Sequence, residues 1–232
     1  MDLNPPFSLV WFKRDLRIRD HKPLCDAINR GLPVLLAYIV EPEQLDDPHM
    51  DIRHWRFITE SIDDINQQLV SLKASDSVVH MLHGELTDVL AMLKGIGLQA
   101  IYSHQEVGLL NTFVRDKAVA NWCRQNQVEW YEAEYGAVTR PLSHRYNWRK
   151  DWHKRIRIEN FDPDLSRLLV ADSQSIPAKY RYHLPDAWCQ MAPAFQRGGE
   201  QRAWHTLKHF LIERGKGYFG NIGKPMEARR TC

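Results

Sequence analysis

Leu9-Val10-Trp11-Phe12-Lys13-Arg14-Asp15-Leu16-Arg17-Ile18-Arg19-Asp20 changes character a third of the way along. Its first four residues are apolar and β-prone, and the rest is a dense cluster of both charges. A short apolar run bounded by polar residues reads as a buried strand of a parallel sheet. Open sheets of this kind bind ligands beyond the carboxyl ends of their strands. Lys13, Arg14, Asp15, Arg17, Arg19 and Asp20 therefore fall where such a fold keeps its chemistry. A solvated loop after a core strand accounts for the same residues, so the surrounding chain has to decide.

Working outward, residues 22–30 read as a short helix that Gly31 stops. Residues 33–40 form a second apolar run of strand length, ended by Glu41-Pro42. Trp55, Ile58, Ile62, Ile65 and Leu69 recur three or four apart and predict a helix over 52–72. A third strand is expected at 78–82, a helix at 86–96, a fourth strand at 99–103, a helix at 113–126 and a fifth strand at 128–131. Val114, Ala118, Val119 and Trp122 would share the inward face of the last helix. Strands alternating with helices mean crossover connections and a parallel sheet, so residues 7–135 read as one α/β domain. Beyond it, 145–158 reads as a basic helix and 159–193, rich in Pro, Ser and Asp, as a long linker packed over a domain surface. Residues 200–214 form a last helix with Ala203, Trp204, Leu207, Phe210 and Leu211 on one side.

A chain of 232 residues, 44% hydrophobic, suffices for one well-packed domain and an appendage. No apolar run is long enough to span a membrane, and the first residues lack the regions of a signal peptide. Cys25, Cys123, Cys189 and Cys232 lie far apart, which argues against a zinc site or disulfide framework and fits a reduced, cytoplasmic setting. The net charge of +2 hides an asymmetry: residues 1–138 carry −7 and residues 139–232 carry +9. A basic second part suits a polyanion or an acidic neighbour within the fold. There is no GxGxxG after a strand, no Walker A sequence, no HExxH and no GxSxG. The eleven histidines show no metal-ligand spacing.

Val10-Trp11-Phe12-Lys13-Arg14-Asp15-Leu16-Arg17, followed by Asp20 and Leu24, resembles the opening motif of the photolyase/cryptochrome family, V-W-F-R-R-D-L-R-x-x-D-N-x-x-L. His21 departs from it, standing where the family usually has Asn; this bears on a helix cap or a loop hydrogen bond. The resemblance implies a Rossmann-like, five-stranded parallel sheet of order 3-2-1-4-5 flanked by helices. In that order the loops after strands 1 and 4 converge at the switch point. The loop Tyr102-Ser103-His104-Gln105-Glu106-Val107-Gly108-Leu109-Leu110-Asn111-Thr112-Phe113-Val114-Arg115-Asp116 is similar to one that bacterial relatives write S-H-E-E-T-G-N-x-x-T-x-A-R-D. A carboxylate there contacts an antenna chromophore, a folate or a deazaflavin, in the wider family. Glu106 is the best match, Asn111 a weaker one, and Arg14 would join them from the first loop. Glu106 equally suits a helix cap or an ion pair with Arg14 or Arg115, and Arg115 with Asp116 reads as a structural ion pair.

Val138-Thr139-Arg140-Pro141 with Arg145, Arg149, Lys150, Trp152, His153 and Lys154 interleaves basic and aromatic residues, as a phosphate-backbone site would. The resemblance instead makes 136–199 an interdomain connector, which is the preferred reading. Gly217-Tyr218-Phe219-Gly220-Asn221-Ile222-Gly223-Lys224-Pro225, then Thr231, resembles the start of the family's FAD-binding helical domain. There Tyr218 would contact the FAD phosphates and Thr231 would open the element that wraps the cofactor. On this reading 200–232 is the beginning of a flavin domain whose larger part is missing, and the chain is a fragment. The parent would be an FAD-dependent, light-driven deoxyribodipyrimidine photolyase, which binds damaged DNA with the lesion flipped out. The fragment would support an antenna, hold no FAD by itself and be inactive alone. The alternatives are a fragment of a cryptochrome-type blue-light sensor and, more distantly, a stand-alone α/β domain binding ATP or AMP near Lys13–Arg17.

Overall fold

In the computed structural model, which describes residues 5–72, 78–108, 110–136, 144–221 and 223–224, β1 (Phe7–Phe12) is buried along its whole length. Around it run α1 (Lys22–Arg30), β2 (Val34–Val40), α2 (Pro42–Leu45), α3 (Ile52–Ser71), β3 (Val79–His83), α4 (Leu86–Gly95), β4 (Leu98–His104), α5 (Leu110–Asn126) and β5 (Glu129–Ala133). The strands form a parallel sheet of order β3-β2-β1-β4-β5. Alternation sends Leu9 and Trp11 to one face and Val10 and Phe12 to the other. The first face packs on α4 and α5 through Leu90, Leu93 and Val119, and the second on α1 and α3 through Leu24, Ile62, Ile65 and Leu69. With both faces covered, β1 and β2 tolerate no polar alternation, which is why they are near-continuous apolar runs.

Local chemistry sets the element ends. His21 caps α1, its Nδ1 accepting from the Leu24 amide at 3.1 Å. Gly31 ends α1 at φ +77°, a conformation that costs other residues about 1 kcal/mol or more. The expected limits of the sheet domain hold within three residues, its largest shift being α5, which starts at Leu110 rather than at residue 113. Half of its expected inward face holds, Val119 and Trp122 packing on the core, and half is corrected. Asp116, Val119 and Cys123 are buried, whereas Val114 is 57% exposed and Ala118 faces solvent. The helix is rolled so that Arg115 and Asp116 reach the carboxyl end of the sheet.

After β5 come α6 (Trp148–Arg155), α7 (Asp186–Cys189), α8 (Glu200–Ile212) and α9 (Tyr218–Asn221). The irregular stretch between α6 and α8 runs along the β3 edge of the sheet and onto α3. Leu169 O accepts from the Val34 amide, the Tyr182 amide bonds Met81 O, and Trp188 stacks on Trp55 at 4.4 Å. The start of α8 is pinned to α3. Gly198, Gly199 and Glu200 donate backbone amides to Glu60, Ser61 and Asp64. A Cβ on Gly198 would sit 2.1 Å from Phe57 O, so only glycine fits there. The apolar side of α8 is open, with Leu211 70% exposed and Glu200 the one buried residue of the helix. Among the described residues no helix is long and apolar enough to cross a membrane.

Candidate functional site

The chain leaves β1 through Lys13-Arg14-Asp15, and each of these side chains is fixed by a residue from far along the sequence. Asp15 turns back under the strand. Its Oδ1 accepts from the Lys13 amide at 2.8 Å, and its Oδ2 faces His104 Nδ1 at 2.5 Å and His21 Nε2 at 2.9 Å. All three side chains are buried. Burial alone would raise the Asp15 pKa, but the His104 and His21 hydrogen bonds outweigh it and hold the carboxyl well below its ordinary range. Burial pushes His21 the other way from charge and lowers its pKa.

Three such groups within 4.8 Å of one another have the composition of a metal site. Their hydrogen bonding does not fit one. The Leu24 amide donates to His21 Nδ1, so the ring proton sits on Nε2, the atom that faces Asp15. A ligating imidazole needs the reverse, a free lone pair on Nε2 and a proton on Nδ1. The cluster is a carboxylate held between imidazoles, and it fixes the loop after β1 to the end of β4.

This arrangement gives a pH dependence. Unfolded His21 takes up a proton as pH falls through about 6.5, while folded His21, its pKa lowered, resists. The unfolded state then binds more protons, so stability falls as pH drops from 7 towards 5, by at most about 1.4 kcal/mol per unit. His21→Asn should keep a capping acceptor and flatten that slope. Urea midpoints at about pH 7 and pH 5.5 check it, and equal slopes in both proteins would count against the assignment.

Above this cluster lies a second one. Arg115, from α5, donates Nη1 to Glu41 at 2.9 Å, Nη2 to Glu106 at 2.9 Å, and Nε and Nη2 to Asp116 at 3.1 and 2.9 Å. Arg14 donates Nε to the other Glu106 oxygen at 2.8 Å. Lys13 Nζ reaches Asp116 at 3.4 Å and sits 4.4 Å over the Trp11 ring. Burial lowers the Lys13 pKa and raises that of Glu41. Arg115 stays charged. Burial works against its charge, but Glu41, Asp116 and Glu106 prevail and raise its pKa.

Lys13, Arg14, Glu41, Glu106 and Arg115 line a cavity of about 720 Å³ at the carboxyl ends of β1 and β2 and the start of α5. Trp11, Phe12, Tyr38 and Phe57 give it aromatic walls, and Arg14, Glu106, Asn111 and Arg115 a polar side. Its size suits a drug-sized ligand. A smaller cavity, about 270 Å³ between α3 and the edge strand β3, lies away from the switch point.

Arg14, Glu106 and Asn111 thus come to one cavity, as their places in the sequence suggest. Glu106 also makes the ion pairs with Arg14 and Arg115 that the alternative reading held, and Arg115 pairs with Asp116. Tyr218 does not line the cavity; it packs edge-on against Phe210 at 5.8 Å beyond the end of α8. Thr231 and residues 137–143 lie outside the described residues. Sequence reasoning missed Glu41 and the pairing of His21 with His104. The signal for the second was present, since His21 stands where the motif has Asn and His104 closes β4.

Comparison with known proteins follows the same residues. A family model described as DNA photolyase matches residues 8–151. The cryptochrome DASH of Synechocystis is 32% identical over 108 residues, 44% of this chain and 22% of that protein. The deoxyribodipyrimidine photo-lyase of Vibrio cholerae is 39% identical over 64 residues, 28% of this chain and 14% of that protein. The crystal structure of a Synechocystis cryptochrome superposes with a TM-score of 0.73 at 24% identity, covering 95% of this chain and 49% of that one. The chain therefore spans about half the length of that solved relative. With the family model matching well over half its residues, the sheet order observed and a cavity at the switch point, the chain belongs to the DNA photolyase family.

Proposed function

We propose that this chain is the N-terminal part of an FAD-dependent, light-driven deoxyribodipyrimidine photolyase and that residues 7–135 hold an antenna chromophore. Residues 136–199 then connect to a flavin-binding helical domain that 200–232 begin. The observation that carries the reading is the cavity beside β1, where an aromatic interior meets a fixed set of polar groups. A folate or deazaflavin has the matching chemistry, a flat heteroaromatic ring with amide-like edges. Bound there, it would supply near-ultraviolet absorption and pass the excitation to the flavin.

The chain's own residues have separable roles. Trp11, Phe12 and Tyr38 exclude water and stack on the ring. Each Glu106 oxygen already accepts one arginine N–H and keeps a second lone pair for a ring N–H. Asn111 Oδ1 is used by the Thr112 amide, which leaves its NH₂ as the donor. Arg14, whose side chain is 58% exposed, is bound through Nε alone and offers its remaining N–H groups to an anionic tail at the rim. Damaged DNA is the partner of the whole protein in this reading, and Tyr218 and Thr231 supply only part of the FAD site.

The purified chain should take up folate or deazaflavin stoichiometrically, read as near-ultraviolet absorbance after gel filtration, and should not retain FAD. Glu106→Ala should weaken uptake about tenfold or more, the loss of a charged hydrogen-bond acceptor. Unchanged uptake would remove Glu106 from the site, and stoichiometric FAD would overturn the division between this chain and the flavin domain. A sensor is the second reading, favoured by the longer alignment with cryptochrome DASH than with the photo-lyase. Light-dependent dimer repair by the full-length protein separates the two.

A further inference from the structure

The cavity of about 270 Å³ beside the edge strand shares no lining residue with the one at the switch point. Thr59, Asp63 and Asn66 face it from one stripe of α3, spaced four and three residues apart. Each keeps unused hydrogen-bonding capacity. The Asp63 carboxylate has no hydrogen bond or ion pair among the described residues. Burial, and then the Glu60 charge, raise its pKa. Asn66 Oδ1 accepts from the Val79 amide at 2.8 Å, which leaves its NH₂ as a donor. Thr59 is 3% exposed, and its hydroxyl has no partner. Threonine keeps two rotamers on a helix, so this hydroxyl is free to turn towards a bound polar atom. Ile62, Met81 and Leu184 supply apolar surface to the same space.

The chemistry of the wall narrows the ligand. An anion is disfavoured, because Asp63 repels it and Arg181 spends Nε on Ile176 O at 3.3 Å and Nη2 on Ser173 O at 2.6 Å. A transition metal would find only Asp63 and His80 as its usual ligands. An organic cation would satisfy Asp63 but meet the Asn66 donor beside it. What fits is a neutral ring that gives N–H to Asp63 and accepts from Asn66, residues that neighbour each other on the helix surface. A carboxylate has two oxygens, and two parallel N–H groups satisfy both. Guanine carries that pair, N1–H and N2–H, next to the O6 acceptor. The volume, at the lower edge of ligand pockets, suits a group of that size. We propose that this cavity binds a guanine-type base, with Asp63 accepting from N1–H and the 2-amino group, Asn66 donating to O6, and Ile62, Met81 and Leu184 covering the ring. The site does not depend on what occupies the larger cavity.

The test is calorimetric titration of guanosine into the full 232-residue chain at neutral pH. Guanosine should bind saturably, with a Kd of about 100 µM or tighter for a ligand of its size. Inosine lacks the 2-amino group, and adenosine has no adjacent pair of N–H groups. Each should bind about tenfold more weakly, the scale of one charge-assisted hydrogen bond. Asp63→Asn should weaken guanosine about tenfold and erase its lead over inosine, because an amide offers one oxygen and one NH₂ to the two N–H groups. Asp63→Ala should lose at least as much. Asp63 is an exposed residue of α3 with no partner to lose, so both variants keep the fold. Guanosine affinity unchanged in both variants would place the base elsewhere and overturn the proposal. So would equal affinity for the three nucleosides, or no saturable binding of guanosine up to about 1 mM.

Discussion

Asp15→Ala should cost about 3–5 kcal/mol of unfolding free energy at neutral pH, the scale for stripping a buried charged partner from the groups it holds. Two donors lose their acceptor together, the Lys13 amide and His104 Nδ1, and His21 Nε2 loses the carboxylate oxygen 2.9 Å away. None is open to water, and each unsatisfied buried donor costs about 1–3 kcal/mol. Asp15→Asn is the informative companion. It keeps one acceptor oxygen and removes the charge, so it should recover part of the loss and also abolish the acid sensitivity that Asp15 contributes. With its folded pKa below the unfolded value of about 3.8, Asp15 stabilises fully above that value and loses its contribution as pH falls through the folded one. Urea unfolding of both variants between about pH 7 and pH 3 separates the hydrogen-bond loss from the charge loss. A loss under about 1 kcal/mol for Asp15→Ala would mean that the imidazoles find other partners, and the loop after β1 would not depend on the carboxylate.

The difference between what the sequence shows and what it hides follows distance along the chain. The strands and most helices are written locally, as runs and periods of a few residues. Gly31 stops α1 because its own backbone must turn left-handed, a requirement visible in one residue. The sheet order is not local, and it was implied by the likeness of one motif to a family. Asp15 and His104 are 89 positions apart, and Ile18 bonds the Glu200 carboxylate across 182, so no spacing rule reaches them. The roll of α5 shows a second kind of blindness. Its apolar residues suggest a face through Val114 and Ala118, but the ion network draws Arg115 and Asp116 inward and turns those residues to solvent. An apolar period cannot weigh buried ion pairs whose partners come from other strands. Glu106 was legible in the opposite way. Both readings of it, ligand contact and ion pair, point to the same atoms, because the pairs that hold it are what aim it at the cavity.

Arg115→Met should be the second large effect, with a weaker loss of stability on acidification than the wild-type chain shows. The guanidinium is one-tenth exposed and serves Glu41, Glu106 and Asp116 at once. Methionine fills part of the volume and leaves three carboxylates facing one another with Lys13 and Arg14 as the remaining cations, a loss of about 3–5 kcal/mol at neutral pH. Burial already pushes the Glu41 pKa up, and Arg115 is the first group that holds it down. Without that guanidinium the folded pKa rises further above the unfolded one. The folded state then binds the extra proton at Glu41, which offsets the His21 loss, so the variant loses less stability than the wild type as pH falls from about 7 to 5. Arg115→Met combined with Glu41→Gln should restore much of the neutral-pH stability and remove the offset that Glu41 supplies. Arg115→Lys should rescue only in part, because an ammonium cannot span three carboxylates as the planar fork does. Uptake of the chromophore proposed for the cavity should drop in Arg115→Met, with Glu106 unfastened. A small loss that is flat with pH would show that the three carboxylates relax into solvent, and the cavity wall would then not depend on Arg115.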